Sequence, residues 1–277
     1  MYIGVDIGGS KILVAASEGG PKILHSQKIK TPKDGNQGVA EIIHLIEQVA
    51  AKAPVRSIAI AAPGPFDRKA GVYGSVVANL PGWANTKLTK PLQNHFNLPV
   101  SLHQDVEAAG IAEATIGAGR DQPYVLYVTI STGIGASLVV NGETYHGTHN
   151  LEAGHIIIDP DGPVCGCGGR GHFEALVSGP AIKKRYGKYG YEITDPAVWD
   201  EIAGTMALGF HSFIAAYSPS IVVVGGGVGV HYDQFHDFLV AHLQRLNPLY
   251  PLPPIVVAKH TETAVAYGAL IFASRHI

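Results

Sequence analysis

Tyr2-Ile3-Gly4-Val5-Asp6-Ile7-Gly8-Gly9-Ser10-Lys11-Ile12-Leu13-Val14-Ala15-Ala16 sets a glycine pair between two short apolar runs. Runs of this length bounded by glycine read as strands joined by a turn, and a third run, over 22–28, follows Gly19-Gly20. The predicted start is therefore a meander of three strands. Asp6 stands beside the first turn, where a carboxylate can hold a hydrated Mg²⁺. Within the turn, backbone N–H groups of Gly8 and Gly9 can converge on phosphate oxygens, the Ser10 hydroxyl can donate too, and Lys11 closes the loop.

The same arrangement recurs twice. A strand over 124–130 runs into Ser131-Thr132-Gly133-Ile134-Gly135, and one over 221–224 runs into Gly225-Gly226-Gly227-Val228-Gly229. One such loop alone reads as an ordinary hairpin turn. Three at strand ends, two with hydroxyls, point instead to phosphate binding. Between them the periodicity predicts helices over 38–51, 86–97 and 106–117, with strands over 57–61 and 99–102. After a break at 117–123 come strands over 124–130 and 136–140, a loop-rich stretch over 141–175, and a helix over 197–217. A helix over 232–246, a strand over 255–258 and a helix from 262 complete the chain. A meander followed by helix–strand alternation thus appears twice. The reading is α/β with two lobes and a cleft between them: 1–117, and 118–261, with the final helix of about 262–277 free to pack back on the first.

The 277 residues are 46% hydrophobic and 15% charged, which excludes extended disorder. Twenty basic against 22 acidic residues give a net charge of −2, without the basic footprint of a nucleic-acid binder. Neither a signal sequence nor an apolar run long enough for a bilayer is present, so the expected location is cytoplasmic, with no membrane partner. No G-x-x-x-x-G-K-[ST] occurs, and a dinucleotide fingerprint fails where Val230 stands in place of glycine. Gly166, Gly168 and Gly171 do fit G-x-G-x-x-G, but Pro160-Asp161-Gly162-Pro163, not a strand, leads into them.

The two cysteines are separated by one residue, too close for an unstrained disulfide. His155, Cys165, Cys167 and His172 offer two thiolates and two imidazoles, a sufficient set for tetrahedral Zn²⁺ with no open position, hence a structural ion. Spacing alone leaves two free cysteines and surface histidines equally open. Glu152 and Glu174 bracket the cluster, and Asp105 at the head of a helix reads first as its cap, worth about 1 kcal/mol.

Taken together, these segments resemble the ROK family of sugar kinases, within the actin–hexokinase (ribonuclease H-like) superfamily, nearly end to end. Asp6 to Lys11 is similar to the family's D-x-G-G-T-K, with Ser10 keeping the hydroxyl; Pro63-Gly64-Pro65 and Asn79-Leu80-Pro81-Gly82-Trp83 resemble its sugar-side loops. Gln104-Asp105 stands where the family has Asn-Asp, and Glu152-Ala153-Gly154-His155 with Cys165, Cys167, Gly168, Gly171 and Glu174 resembles its E-x-G-H and zinc signature, His172 replacing a cysteine. The resemblance implies Asp105 as catalytic base; Asn79, Gln104, Asp105, Glu152, His155 and Glu174 around the sugar; and Gly8, Gly9, Ser10, Lys11, Ser131, Thr132, Gly133, Gly225, Gly226 and Gly227 around the nucleotide. It further implies ATP with Mg²⁺ at Asp6, structural Zn²⁺, and transfer of phosphoryl to a hexose hydroxyl, the 6-hydroxyl of glucose or a related aldohexose. N-acetylmannosamine or fructose as substrate, polyphosphate as donor, a homodimer, and a catalytically silent sugar-binding protein remain compatible with it. A sugar-responsive regulator would need a helix-turn-helix before the first loop, for which five residues leave no room.

Overall fold

The computed structural model describes residues 1–275 except 52, 149 and 248. The chain divides into two compact units, Met1–Ala112 joined by the segment from Glu262 onward, and Glu113–Thr261.

In the first unit, β1 (Tyr2–Ile7), β2 (Lys11–Ser17) and β3 (His25–Lys30) form the antiparallel meander. Then come α1 (Gly35–Ala50), β4 (Ser57–Ala62), a small hairpin of β5 (Phe66–Asp67) and β6 (Val72–Tyr73), α2 (Thr89–Phe96), β7 (Val100–Gln104) and α3 (Asp105–Ile116), whose last turn belongs to the second unit. The sheet order is β3-β2-β1-β4-β7, with β1, β4 and β7 parallel. Every residue of β1 and β4 is buried, as uninterrupted apolar runs require when helices cover both faces of a sheet. Val39, Ile42, Leu45, Ile46 and Val49 form the buried stripe of α1, whose first turn is capped by Asp34 accepting the Gln37 N–H. The edge strand β3 is almost wholly exposed and carries Lys28 and Lys30, a polar edge that discourages further strand pairing.

The second unit repeats the plan. β8 (Tyr124–Ile130), β9 (Ile134–Val140) and β10 (Glu143–Thr144) are antiparallel, followed by α4 (Phe173–Val177), α5 (Gly179–Tyr186), α6 (Pro196–Tyr217), β11 (Ile221–Gly225), α7 (Gly226–Gly229), α8 (Tyr232–Leu246) and β12 (Ile255–Val257). Its order is β10-β9-β8-β11-β12, the last three parallel. The core gathers Leu126, Val128 and Ile130 of β8 with Trp199, Met206 and Phe210 of α6 and Phe235 and Leu239 of α8. Finally α9 (Ala264–Arg275) rejoins the first unit, packing on β1 and β4.

Several boundaries differ from the sequence expectation, and three of them have a visible cause. The third strand starts at His25, because Leu24 N–H is spent on Ala16 carbonyl in the preceding turn. The helix expected from 86 starts at Thr89: Thr86 is tied into a turn by its N–H to Trp83 and its carbonyl to Tyr73, while Leu88 N–H donates to Gly71. The strand expected over 99–102 continues to Gln104, which carries Asp105 beyond the sheet's edge.

Candidate active site

Asp6 lies one residue before the C-terminal end of β1, buried, next to a turn closed by Gly8 N–H donating to Lys11 carbonyl at 2.9 Å. Thr31 holds that turn from behind, its Oγ1 donating to Gly8 carbonyl at 2.7 Å and its N–H to Ser10 carbonyl. Gly9, Ser10 and Lys11 are exposed, leaving the loop open to a ligand. Asn79 folds over it: a Cβ at Gly9 would sit 3.1 Å from Asn79 carbonyl oxygen, so a side chain there would push the Asn79 loop away. That loop is anchored by buried Trp83, whose indole N–H donates to Pro32 carbonyl.

Asp105 opens α3 directly after β7, and its Oδ1 accepts the Val106 N–H at 2.7 Å. The bond satisfies one orphan donor of the helix start, and the helix dipole there favours a negative charge. The position thus combines the capping contact with a carboxylate at the end of a parallel strand. Desolvation by its surroundings nevertheless pushes the Asp105 carboxyl above the usual range, with Glu107 adding like charge. Burial and the neighbouring Asp105 push Asp6 up to about 7, against the pull of Lys11. Gln104 is buried, and its side-chain Oε1 has no hydrogen-bond partner among the described residues. Its backbone N–H donates to Glu107 Oε2 at 2.9 Å, so Glu107, three residues into the helix, reaches back to its start.

In the second unit, Ser131 turns β8 into β9 through its N–H to Gly133 carbonyl, and its own carbonyl accepts the Gly179 N–H at the start of α5. Gly226 adopts φ +87°, where any side chain is strained, and a Cβ there would collide with Ile130 carbonyl; a Cβ at Gly227 would lie 3.7 Å from Ser131 Oγ. Ser131, Thr132 and Gly133 therefore adjoin Gly225, Gly226 and Gly227, although the latter open the short helix α7 and are not a free loop. Glu174, first-turn residue of α4, accepts the Ile134 N–H at 2.9 Å. Glu152 is exposed and followed by a 3₁₀ turn, Ala153–His155.

The donor atoms of His155, Cys165, Cys167 and His172 lie within 4.8 Å of one another. Cys165 Sγ is 3.8 Å from His155 Nδ1, and Cys167 Sγ is 3.2 Å from His172 Nδ1. Donors about 2.0–2.3 Å from one tetrahedral ion stand roughly 3.3–3.8 Å apart, so this set fits zinc chemically and spatially. His155 Nε2 faces Glu152 Oε2 at 3.8 Å, leaving one ring nitrogen for the cluster and the other for a carboxylate, the usual environment of a metal-bound imidazole. The loop turns on Cys165 N–H to Gly169 carbonyl and on left-handed Gly168 and Gly171.

Sequence reading missed three contributors to these arrangements: Thr31, Gly179 and Glu107. Only the last had a local signal, a glutamate three residues after the residue preceding the helix.

The strand order, repeated in two α/β units with glycine hairpins at matching places, defines an actin/hexokinase-like fold. A glucokinase from Thermotoga maritima is 29% identical over 82% of this chain and 81% of its own. A ROK hexokinase structure from Thermus thermophilus matches with TM-score 0.86 and 30% identity, over 98% of this chain and 96% of that one. A ROK glucokinase from Streptomyces griseus, solved with glucose and AMPPNP, matches with TM-score 0.81 and 25% identity over 99% of both chains. The sequence model of the ROK family matches residues 2–276. The chain belongs to the ROK family.

Proposed function

We propose that this ROK protein transfers the γ-phosphoryl group of ATP to a hexose, at the 6-hydroxyl of glucose or a related aldohexose. The sugar-kinase class rests on the glucokinase and hexokinase relatives within the family; the particular hexose and hydroxyl are the proposal. The observation that carries it is Asp105 directly after β7, partly exposed with a raised carboxyl and close enough to Asp6 for Asp6 to feel its charge. A base poised nearer the working pH accepts a proton in the transition state more effectively than an ordinary aspartate.

In this reading, Asp105 takes the proton of the sugar hydroxyl as its oxygen bonds to the γ-phosphorus and the bond to the ADP oxygen breaks. Such transfer depends mainly on positioning and charge neutralisation. Gly9, Ser10 and Lys11 in the first unit, in the turn that the Gly8 N–H closes on Lys11 carbonyl, and Ser131, Thr132, Gly133, Gly225, Gly226 and Gly227 in the second, supply N–H, hydroxyl and ammonium donors for the nucleotide. Asn79, Gln104, Glu152, His155 and Glu174 hold the ring hydroxyls, and the unpartnered Gln104 Oε1 suits an acceptor awaiting one. Asp6 would hold Mg²⁺, which neutralises phosphate charge when bound. The His155, Cys165, Cys167 and His172 cluster would hold zinc as a structural ion, fixing the segment that carries Glu152 and Glu174.

The test is a panel of glucose, mannose, fructose, allose and N-acetylmannosamine, each with ATP and Mg²⁺, followed by ADP release and NMR of the sugar phosphate. The expected product is an aldohexose 6-phosphate. ADP release independent of every sugar, or a fructose-only profile, would overturn the aldohexose assignment.

A further inference from the structure

Arg68, in the turn between β5 and β6, places Nη2 2.8 Å from both carboxylate oxygens of Glu107, 39 residues away. The Glu107 side chain is only 7% exposed, against 33% for Arg68. The same carboxylate receives the backbone N–H of Gln104. One buried group is thus gripped by a cation and in turn grips the residue immediately before Asp105.

Several charges and polar groups face Asp105: Asp6 from β1, with Lys11 of β2 beside it, Tyr73 from β6, and Glu107 from α3 itself. Of the charge-bearing groups in that circle, Asp6 and Glu107 are carboxyls like the base itself and Lys11 alone is cationic, so a bare Glu107 would add like charge beside Asp105. Removing one partner of a buried ion pair leaves the other as an uncompensated charge. Here the uncompensated charge would fall two residues from Asp105.

We propose that Arg68 and Glu107 form a positioning pair for Asp105: Glu107 fixes the backbone at Gln104, and Arg68 cancels the charge Glu107 would otherwise set beside the base. The pair also ties the β5–β6 hairpin, from which Tyr73 leads to the Asn79 loop, to the start of α3. This role rests on Asp105 being the proton acceptor of the proposed kinase reaction.

The experiment is kcat/KM against pH, with ATP and glucose, for the wild type, Arg68→Met, Glu107→Gln and the double variant, with circular dichroism on each. Arg68→Met should move the acid limb upward by about half to one pH unit, a change of roughly 3- to 10-fold in activity on that limb. Glu107→Gln keeps an acceptor for the Gln104 N–H but loses the negative charge, and should move the limb downward. The double variant should return it near the wild-type position. Titration of ATP is common to all four and cancels in the comparison. A purely structural pair would lower turnover without opposite shifts; limbs that coincide, or that shift together, overturn the inference. Should Arg68→Met fail to fold, Glu107→Gln decides alone, and an unmoved or raised limb overturns it. Wild-type turnover in Asp105→Asn would instead sink the reading of Asp105, whatever the limbs do.

Discussion

Asp6 meets two opposing demands, since it lies buried beside a second carboxylate yet sits where the proposed Mg²⁺ would need its charge. Its carboxyl, pushed up to about 7, is held protonated in the folded state well above the ordinary aspartate range. The linkage follows directly. A folded-state value above the unfolded one makes the folded chain bind more protons, so stability falls as pH rises from about 4 to 7 and the full cost is present above that. Asp6→Asn should therefore raise Tm, by about 2 °C or more at pH 8 and by roughly a third as much at pH 5, while abolishing turnover. Scanning calorimetry at the two pH values checks this; an equal or larger gain at pH 5 would refute the buried-charge explanation. The capping contact of Asp105 was legible in the sequence, because a carboxylate at a predicted helix start most often caps it, whereas its assignment as base came only with the family resemblance. Its partners were not legible: Arg68 reaches Glu107 across 39 residues, and no local pattern encodes a contact of that range.

Elements were legible where hydrophobic runs and glycine turns coincide, as in β1 to β2 and β8 to β9, because strand burial and chain reversal are both local demands. They were misjudged where a distant partner decided the boundary, as at α2, whose start is displaced by bonds from Leu88 and Thr89 to Gly71. In the loop over 155–172, the spacing left zinc and free thiols equally open, whereas folding brings all four donor atoms together. Elemental analysis of freshly purified protein should find about one zinc per chain. Cys167→Ser should lose the ion and lower Tm by roughly 5 °C, and raise the sugar KM more than it lowers kcat, since the loop is flanked by Glu152 and Glu174, assigned to the ring rather than the base. Zinc-free native protein would defeat the assignment.

For the molecule as a whole, the repeated sheet order gives the hairpins of one five-stranded sheet counterparts in the other. The Gly8–Lys11 turn joins β1 to β2 as the Ser131–Gly133 turn joins β8 to β9, and a glycine segment follows both β4, at Gly64, and β11, at α7. Ligands of open α/β sheets bind beyond the carboxyl ends of parallel strands. Asp6, Asp105 and Gly225 all stand at or beside such ends. Among the described residues, no helix is long and apolar enough to cross a membrane. The most direct measurement is single-turnover phosphoryl transfer from ATP to glucose in Asp105→Asn, alongside the binding affinities of both ligands. Predicted is a fall in the transfer rate of roughly 10²–10⁴ with the fold and both affinities little changed. Transfer at the wild-type rate would contradict the assignment of Asp105 as the group that takes the hydroxyl proton.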